Sequence, residues 1–496
     1  MGSTVLISVR PGRTRAALVE NGVLTDLLVF DDARQSLVGN IYLGRVEKVV
    51  GHLAAAFVDI GGGVSGFLAA AEARSPGQDA TADISACVTE GQAVVVQVQR
   101  DGFEDKGPKL TARVVLNGRA LILTPYDPGV RLSRRIDGEA ERARLETVAR
   151  DLGRPDGGFI LRTAARGLPS TDLAREADAL RQAWADVAER GASGTPPMLL
   201  SDASNPLLHI LRDFTPAGVG RIVIDDIPAL AGARAWCRSN APDLTDRLDS
   251  HAGPASLFET VDAKTGSGGD DSVEAALEEA LSPSLALPSG GSVLFAETPA
   301  LIAIDVNVGG AVHGGRGPSV LATNLEAARL IARQIRIRNL SGLLVVDFVS
   351  TKNKKDQAKV LEAVKRAVAG DPSNVFVGGF TRFGLLEMTR RRNRPSLASL
   401  LMAPCRPCDG HGHVLSALSI AYKALDQLAR AADATPAVRL SLVASPAIVA
   451  ALQGPAGRAL AAINERFGRQ FPVVGDDQRA ADDFQIIYDG GNDHDR

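Results

Sequence analysis

The stretch from Leu301 to Phe348 constrains this chain more than any other. It reads LIAIDVNV, then a helical run, then LLVVDF, so each of two apolar, strand-like segments carries one carboxylate, Asp305 or Asp347. An ionised carboxylate among Ile, Leu and Val is costly unless it is paired or holds a metal. Neither has a cation beside it in sequence. Between them, ATNLEAARLIARQIRI sets Leu325, Ala328, Ala332 and Ile335 at helical spacing and leaves Arg329, Arg333 and Arg336 on another face. Strand, helix and strand predict a crossover joining parallel strands, which brings corresponding strand ends together. Asn307, two residues beyond Asp305, projects to the same side of an extended strand and is suited to orient a ligand or a water. Two carboxylates completed by water and phosphate oxygens are a usual way to hold Mg²⁺. The plainer alternative is a pair of aspartates satisfied by backbone N–H groups; the pairing on one crossover, flanked by arginines, favours the metal.

The formal net charge of −3 hides an uneven distribution. From Leu321 to Arg394 there are 15 Lys/Arg and 6 Asp/Glu, a net of +9, against −12 for the remainder. A basic region on an acidic body is suited to a polyanion held at one place. Two basic runs stand out, TKNKK (351–355) and TRRRNR (389–394). At 496 residues the chain is too long for one ordinary core and should hold several domains. No apolar run is long enough to cross a bilayer, and MGSTVLISVRPGRTR lacks a signal-peptide pattern, so the expectation is a cytoplasmic protein without a membrane segment. Four cysteines, Cys87, Cys237, Cys405 and Cys408, are too few for a disulfide framework.

Residues 1–35 alternate apolar and polar positions around Pro11, Gly12, Asn21 and Gly22, the pattern of a hairpin within a sheet. SLVGNIYLGRVEKVVGHLAAAFVDIGGGVSGFLAAAEA follows, short strands between Gly-rich turns, which predict a small barrel. Phe57 and Phe67 stand where an oligonucleotide-binding barrel presents stacking platforms, with Lys106 and Lys109 close behind. Core packing is the competing role for two such phenylalanines. GGFILRT ends a strand on Arg162 and Thr163, a guanidinium and a hydroxyl that together suit a terminal phosphate. DLAREADALRQAWADVAER predicts a helix ending in the loop GASGTPP, and DAKTGSGGDDS (262–272) predicts a loop before the short helix VEAALEEAL. The strand VFVGGF precedes TRFGLLEMTRRRNRPSL, whose Arg382, Arg390, Arg391 and Arg392 are candidate phosphate contacts.

APCRPCDGHGHV supplies Cys405 and Cys408 in a CxxC knuckle, half of a tetrahedral zinc site. Three completions compete: His411 or His413 from the same knuckle, the distant Cys87 or Cys237, or a second copy of the pair from another subunit. Past Val414 the helix LSIAYKALDQLARAA leads into a compact α/β piece.

The collinear succession GNIYLGRVEKV, AAFVDIG, GFL, LTARVVLNGRALIL, SRRI, GFILRTAA, LRDF, ALIAIDVNVGG, TNLEAARLIARQIRIRNLSGLLVVDF, RFGLLEMTRRR and CxxC resembles the ribonuclease E/G family of bacterial endoribonucleases over nearly the whole chain. The resemblance implies an α/β multidomain fold. A ribonuclease-H-like subdomain (1–35 and 212–280) would be interrupted by an S1/OB β-barrel (36–118) and a 5′-sensor subdomain (119–211). A deoxyribonuclease-I-like catalytic subdomain (281–400), a zinc link (401–415) and a small α/β C-terminal domain (416–496) would follow.

The resemblance also implies roles. Asp305, Asn307 and Asp347 would be catalytic, with Mg²⁺ on the two aspartates. Phe57, Phe67, Lys106, Lys109, Arg333, Arg390 and Arg391 would bind single-stranded RNA. Gly118, Ile122, Arg162 and Thr163 would form a 5′-phosphate pocket. Zn²⁺ would be shared by Cys405 and Cys408 of two protomers, building a dimer or a pair of dimers. The implied activity is Mg²⁺-dependent hydrolysis of single-stranded RNA to 5′-phosphate and 3′-hydroxyl ends, in rRNA and tRNA maturation and mRNA decay, by a short form without a degradosome scaffold. Asn374 replaces a basic residue of the family's pocket, which predicts a weakened 5′-monophosphate preference. Val308 and Ser350 stand where many members have Ser and Asp. A rival reading, a non-catalytic RNA-binding or RNA-assembly protein, uses the same barrel and basic patch.

Overall fold

The computed structural model describes residues 2–74, 83–102, 106–153, 157–251, 253, 255–260, 272–309, 319–351, 353–405, 408, 412 and 414–489. They form two compact units, 1–401 and 402–496. The loop expected at 262–272 lies outside the described residues except for Ser272, whose hydroxyl caps the helix Val273–Leu281 by accepting from Ala275 N.

Strands β1 (Ser3–Arg10), β2 (Arg13–Glu20) and β3 (Val23–Asp31) form an antiparallel meander. Strands β4 (Ile41–Val50), β5 (Ala55–Asp59), β6 (Ser65–Ala69), β7 (Ala93–Arg100) and β8 (Lys109–Thr111) close into a five-stranded barrel in the order β4-β5-β6-β8-β7, with β7 pairing back onto β4. Leu110 packs closely over the bare backbone of Gly66, where a Cβ would lie 2.5 Å from Leu110 Cδ1. The barrel is filled by Val46, Val58, Leu68, Val96 and Leu110. A closed barrel of this size is consistent with an S1/OB fold.

Strands β9 (Leu116–Asn117), β10 (Leu121–Thr124), β11 (Gly129–Leu132) and β12 (Gly158–Leu161) make a separate four-stranded sheet. Helices Glu139–Leu152 and Ser170–Ser193 bury Leu145, Val148, Leu173 and Ala177 against its Leu121, Leu123 and Phe159. The second helix runs three residues into the predicted loop and stops at Gly194, whose N–H reaches Arg190 O. Strand β13 (Met198–Ser201) then pairs with β4, so a segment expected in the sensor subdomain extends the barrel wall.

Strands β14 (Arg221–Ile224) and β15 (Leu248–Ser250) return to the first sheet, parallel to β1, giving the order β15-β14-β1-β2-β3. Both faces are covered. Helix Ile227–Asn240 buries Leu230 and Ala233 against Val5 and Ile7, while helix Val273–Leu281 buries Val273 and Ala276 against Leu6 and Ala17.

The site sits on the last large sheet, made of β16 (Ser284–Ala286), β17 (Ser292–Glu297), β18 (Ile302–Asn307), β19 (Gly342–Asp347), β20 (Val375–Phe380) and β21 (Leu385–Arg390). Its order is β16-β17-β18-β19-β21-β20. The crossover helix Val320–Ile337 and helix Lys354–Val368 cover one face, burying Ala328, Ile331, Ile335, Val360 and Val364 on Ile304, Val306, Leu344 and Val346. The alternate residues face outward, among them Leu294, Leu343 and Phe376. Arg336 of the crossover helix pairs with Asp26 of β3 and so ties this layer to the first sheet.

In the second unit, helix Ala417–Ala434 and two shorter helices pack on a three-stranded sheet of β22 (Arg439–Ala444), β23 (Val473–Gly475) and β24 (Phe484–Asp489). Among the described residues no helix is long and apolar enough to cross a membrane.

Candidate active site and RNA-binding face

Strands β18 and β19 are parallel, and Asp305 is the register partner of Asp347. Neighbouring strands lie about 4.8 Å apart and register partners project to one side, so both carboxylates sit on the open face at the carboxyl ends of their strands. Asn307 Nδ2 donates to Asp305 Oδ2 at 2.7 Å, which fixes one oxygen and leaves Oδ1 for another partner. The main chain beyond Asp347 is clamped from the crossover helix. Asn324, 1% exposed, donates from Nδ2 to Val349 O at 2.8 Å and accepts from Val349 N at 3.1 Å. Nothing in the sequence pattern singles out Asn324, because a buried amide inside an apolar helix face acquires its role only when the strand arrives.

Among the described residues no group of three or more His, Cys, Asp or Glu side chains is gathered for a metal. Two hard carboxylates with an amide beside them suit Mg²⁺, which keeps several of its own waters. Val308 and Ser350, both exposed, complete the outward end of the two strands.

The register redistributes the arginines. Strand β21 runs antiparallel to β19, with Leu385 opposite Asp347 and Arg390 opposite Gly342. Arg390, Arg391 and Arg392 therefore lie toward the opposite end of the strand, about 17 Å from the carboxylates at five residues' separation. Arg390 is corrected outright as an RNA contact. Its side chain is 1% exposed, Nε donates to Asp371 Oδ2 at 2.8 Å, and Nη1 donates to Asn339 Oδ1 and Leu340 O. Arg391 and Arg392 remain exposed.

Arg333 is displaced too. It sits half-buried on the helix that covers the opposite face of the sheet, where burial lowers its pKa despite the nearby Glu279 carboxylate, so it does not flank Asp305. At the carboxylate end stand Arg382 and Phe383, in the turn just before Leu385, with Phe383 92% exposed. The exposed Lys354 and Lys355 begin the helix that follows β19.

On the barrel, Phe57 and Phe67 are register partners on β5 and β6, half-buried, with their rings edge to face at 6.0 Å. Lys109 is the register partner of Phe67 on the next strand, and Lys106 is exposed just before it. Two aromatics and a cation thus line up across three adjacent strands outside the barrel's buried core.

Gly118, Ile122, Arg162 and Thr163 gather at the ends of β9, β10 and β12. Arg162 Nη1 donates to Gly118 O at 2.7 Å, and Ile122 is the register partner of Ile160. Gly118 has no room for a side chain, since a Cβ would fall 2.1 Å from Glu176 Oε1. Arg162 is also committed to an ion pair, Nη1 to Asp213 Oδ1 at 2.8 Å. Burial by itself would raise the Asp213 pKa, but Arg212 and Arg162 hold the carboxyl below its ordinary value. Asn374, in the left-handed region at φ 53°, accepts from Arg135 Nη2 at 2.7 Å.

In the knuckle, Cys408 N donates to Cys405 O at 3.2 Å and Gly412 N donates to Cys408 Sγ at 3.3 Å. An N–H aimed at sulfur stabilises thiolate, so this pair fits a zinc ligand set. His411 and His413 lie outside the described residues. Cys237 is buried within the core of the first sheet, where desolvation pushes its thiol up to about 12. Cys87 is half-buried in the barrel, its Sγ donating to Asp83 O.

A model of the ribonuclease E/G family matches residues 115–393. The ribonuclease G of Salmonella typhimurium is 32% identical over 98% of this chain and 100% of its own length. The ribonuclease G of Escherichia coli K12 is 33% identical over 95% of this chain and 97% of its own. A ribonuclease E from Synechocystis is 33% identical over 81% of this chain and 58% of its own length.

Proposed function

We propose that this chain, which belongs to the ribonuclease E/G family and is an endoribonuclease, cuts single-stranded RNA by Mg²⁺-dependent hydrolysis that leaves 5′-phosphate and 3′-hydroxyl ends. The observation that carries this reading is the register pairing of Asp305 with Asp347 at one open sheet end. Those two carboxylates would hold the ion, and Asn307 orients Asp305 through its amide. Bound there, Mg²⁺ supplies charge neutralisation at the scissile phosphate and a lowered pKa for the attacking water. Arg382, Lys354 and Lys355 would engage neighbouring phosphates. Phe383 would stack a flanking base, and Phe57, Phe67 and Lys109 would hold the strand beyond it. Arg162 and Thr163 would meet a 5′-phosphate, and Cys405 and Cys408 would share Zn²⁺ with a second protomer. RNA maturation and mRNA decay in the cytoplasm are the processes this chemistry suits. The deciding experiment incubates purified protein with a fluorescent single-stranded oligoribonucleotide in Mg²⁺ and then in EDTA. Cleavage should require the ion and yield 3′-hydroxyl ends; 2′,3′-cyclic ends or EDTA-resistant cleavage would refute the mechanism.

A further inference from the structure

Away from the carboxylate site, a partly open cavity of about 230 Å³ lies inside the first unit, where β3, the entry into the barrel, the segment before β14 and the segment after β21 converge. Its walls are mainly apolar, with Leu27, Phe30, Ile337 and Leu397 among them. Polar and charged residues interrupt that character, among them Asp31, Asp32, Arg34, Asp101, His209 and Arg394. His209 stands edge to face with Phe30 at 5.5 Å, and burial pushes its imidazole below its ordinary value.

Arg394 is the odd member of a charged cluster. The carboxylates whose fields reach it are Asp26 and Asp371. Asp26 is paired with Arg336, and Asp371 with Arg390. Among the described residues the Arg394 guanidinium has no hydrogen bond or ion pair of its own. Its backbone is pinned, since Asn339 Nδ2 donates to Arg394 O at 2.9 Å and to Pro395 O at 2.8 Å. The side chain is only half-buried, so this cation without a partner is open to the cavity. Asp31, Asp32 and Asp101 also line the cavity, and none of them is paired with Arg394: Asp31 is bound to Arg13, and Asp101 accepts from Ser36 Oγ and Leu37 N.

We propose that this cavity binds a small amphipathic anion, a carboxylate or phosphate carried on a flat apolar body, with its charge on Arg394 and its body between Phe30, Leu27 and Leu397. The site is separate from the cleavage reading and does not depend on it.

Titration of the full chain with 2-naphthoate, followed by calorimetry and by the probe's fluorescence, tests this. One 2-naphthoate should bind per chain, at least about tenfold tighter than either acetate or neutral 2-naphthol, because only the probe uses both halves of the cavity. Arg394→Gln should weaken binding about tenfold or more, and Ala203→Phe, which fills the cavity without touching charge, should abolish it. Thermal melting reports whether each variant is folded, and either folded variant decides the outcome. No saturable binding to the wild-type chain, equal binding of 2-naphthol, or undiminished affinity in a folded variant would overturn the proposal.

Discussion

Asp305 and Asp347 are separated by a whole crossover helix in sequence yet are register partners on adjacent parallel strands. Because Asn307 holds one oxygen of Asp305 at 2.7 Å, the two carboxylates are not equivalent: among the described residues only Asp305 of the pair accepts a side-chain hydrogen bond. Asp305→Asn or Asp347→Asn should each lower cleavage by at least about 10²-fold while RNA binding by fluorescence anisotropy stays near wild type. Asn307→Ala should cost about 10- to 100-fold and raise the Mg²⁺ concentration for half-maximal rate. Wild-type cleavage by either aspartate variant would remove the metal assignment.

Arg390 and Arg382 differ in their surroundings: Arg390 is buried in an ion pair with Asp371, whereas Arg382 is exposed at the carboxylate end of the sheet. Arg390→Ala breaks an ion pair whose partners are each 1% exposed, and should cost about 3–5 kcal/mol of stability in denaturant unfolding. Arg382→Ala should leave the unfolding midpoint unchanged and weaken RNA binding or cleavage. The reverse pattern would return Arg390 to the RNA surface.

This contrast marks how far the sequence could be read. The crossover, the barrel and the aspartate pair were legible because period-2 and helical hydrophobic patterns translate directly into strands and a helix. Which arginines face RNA was not, since a one-dimensional run such as TRRRNR does not reveal that β21 lies antiparallel to β19 and carries Arg390 away from Asp347. The Asn324 clamp on Val349 was equally hidden, for it exists only once the helix lies against the chain beyond β19. The return of β14 to β1 rests on contacts more than two hundred residues apart, and no local pattern records them.

Phe57 and Phe67 touch each other edge to face on adjacent barrel strands, so removing one also loosens the other. Phe57→Ala and Phe67→Ala should each weaken single-stranded RNA by about 1–3 kcal/mol, with the double variant losing less than the sum. Affinity for duplex RNA of the same length should change little. Additive losses would mean the rings act as independent platforms.

Arg162 divides its guanidinium between Gly118 O and Asp213, and Asn374, held by Arg135, carries no charge of its own. Cleavage of matched 5′-monophosphate and 5′-hydroxyl oligonucleotides should therefore differ by less than about tenfold, the equivalent of about 1.4 kcal/mol. Asp213→Asn removes the competing carboxylate and should widen the difference. A large preference in the wild-type protein would show that Arg162 is already free for phosphate.

Glu176 sits under Gly118, its carboxylate accepting from Ala120 N at 3.0 Å, and burial raises its pKa from 4.5 to about 7 against the pull of those backbone N–H groups. Between pH 4.5 and 7 the folded protein keeps a proton at this carboxyl that the unfolded chain has already released. Fewer protons on the unfolded state means that stability falls as pH rises through this window. Glu176→Gln keeps an acceptor for Ala120 N but cannot ionise, so the variant's unfolding midpoint should lose this decline and exceed the wild type's above pH 7. Denaturant unfolding of both proteins from pH 4.5 to 8 measures the difference. Parallel pH profiles for the two would mean that Glu176 is already ionised throughout, its charge carried by the N–H groups of Ala120 and Leu121.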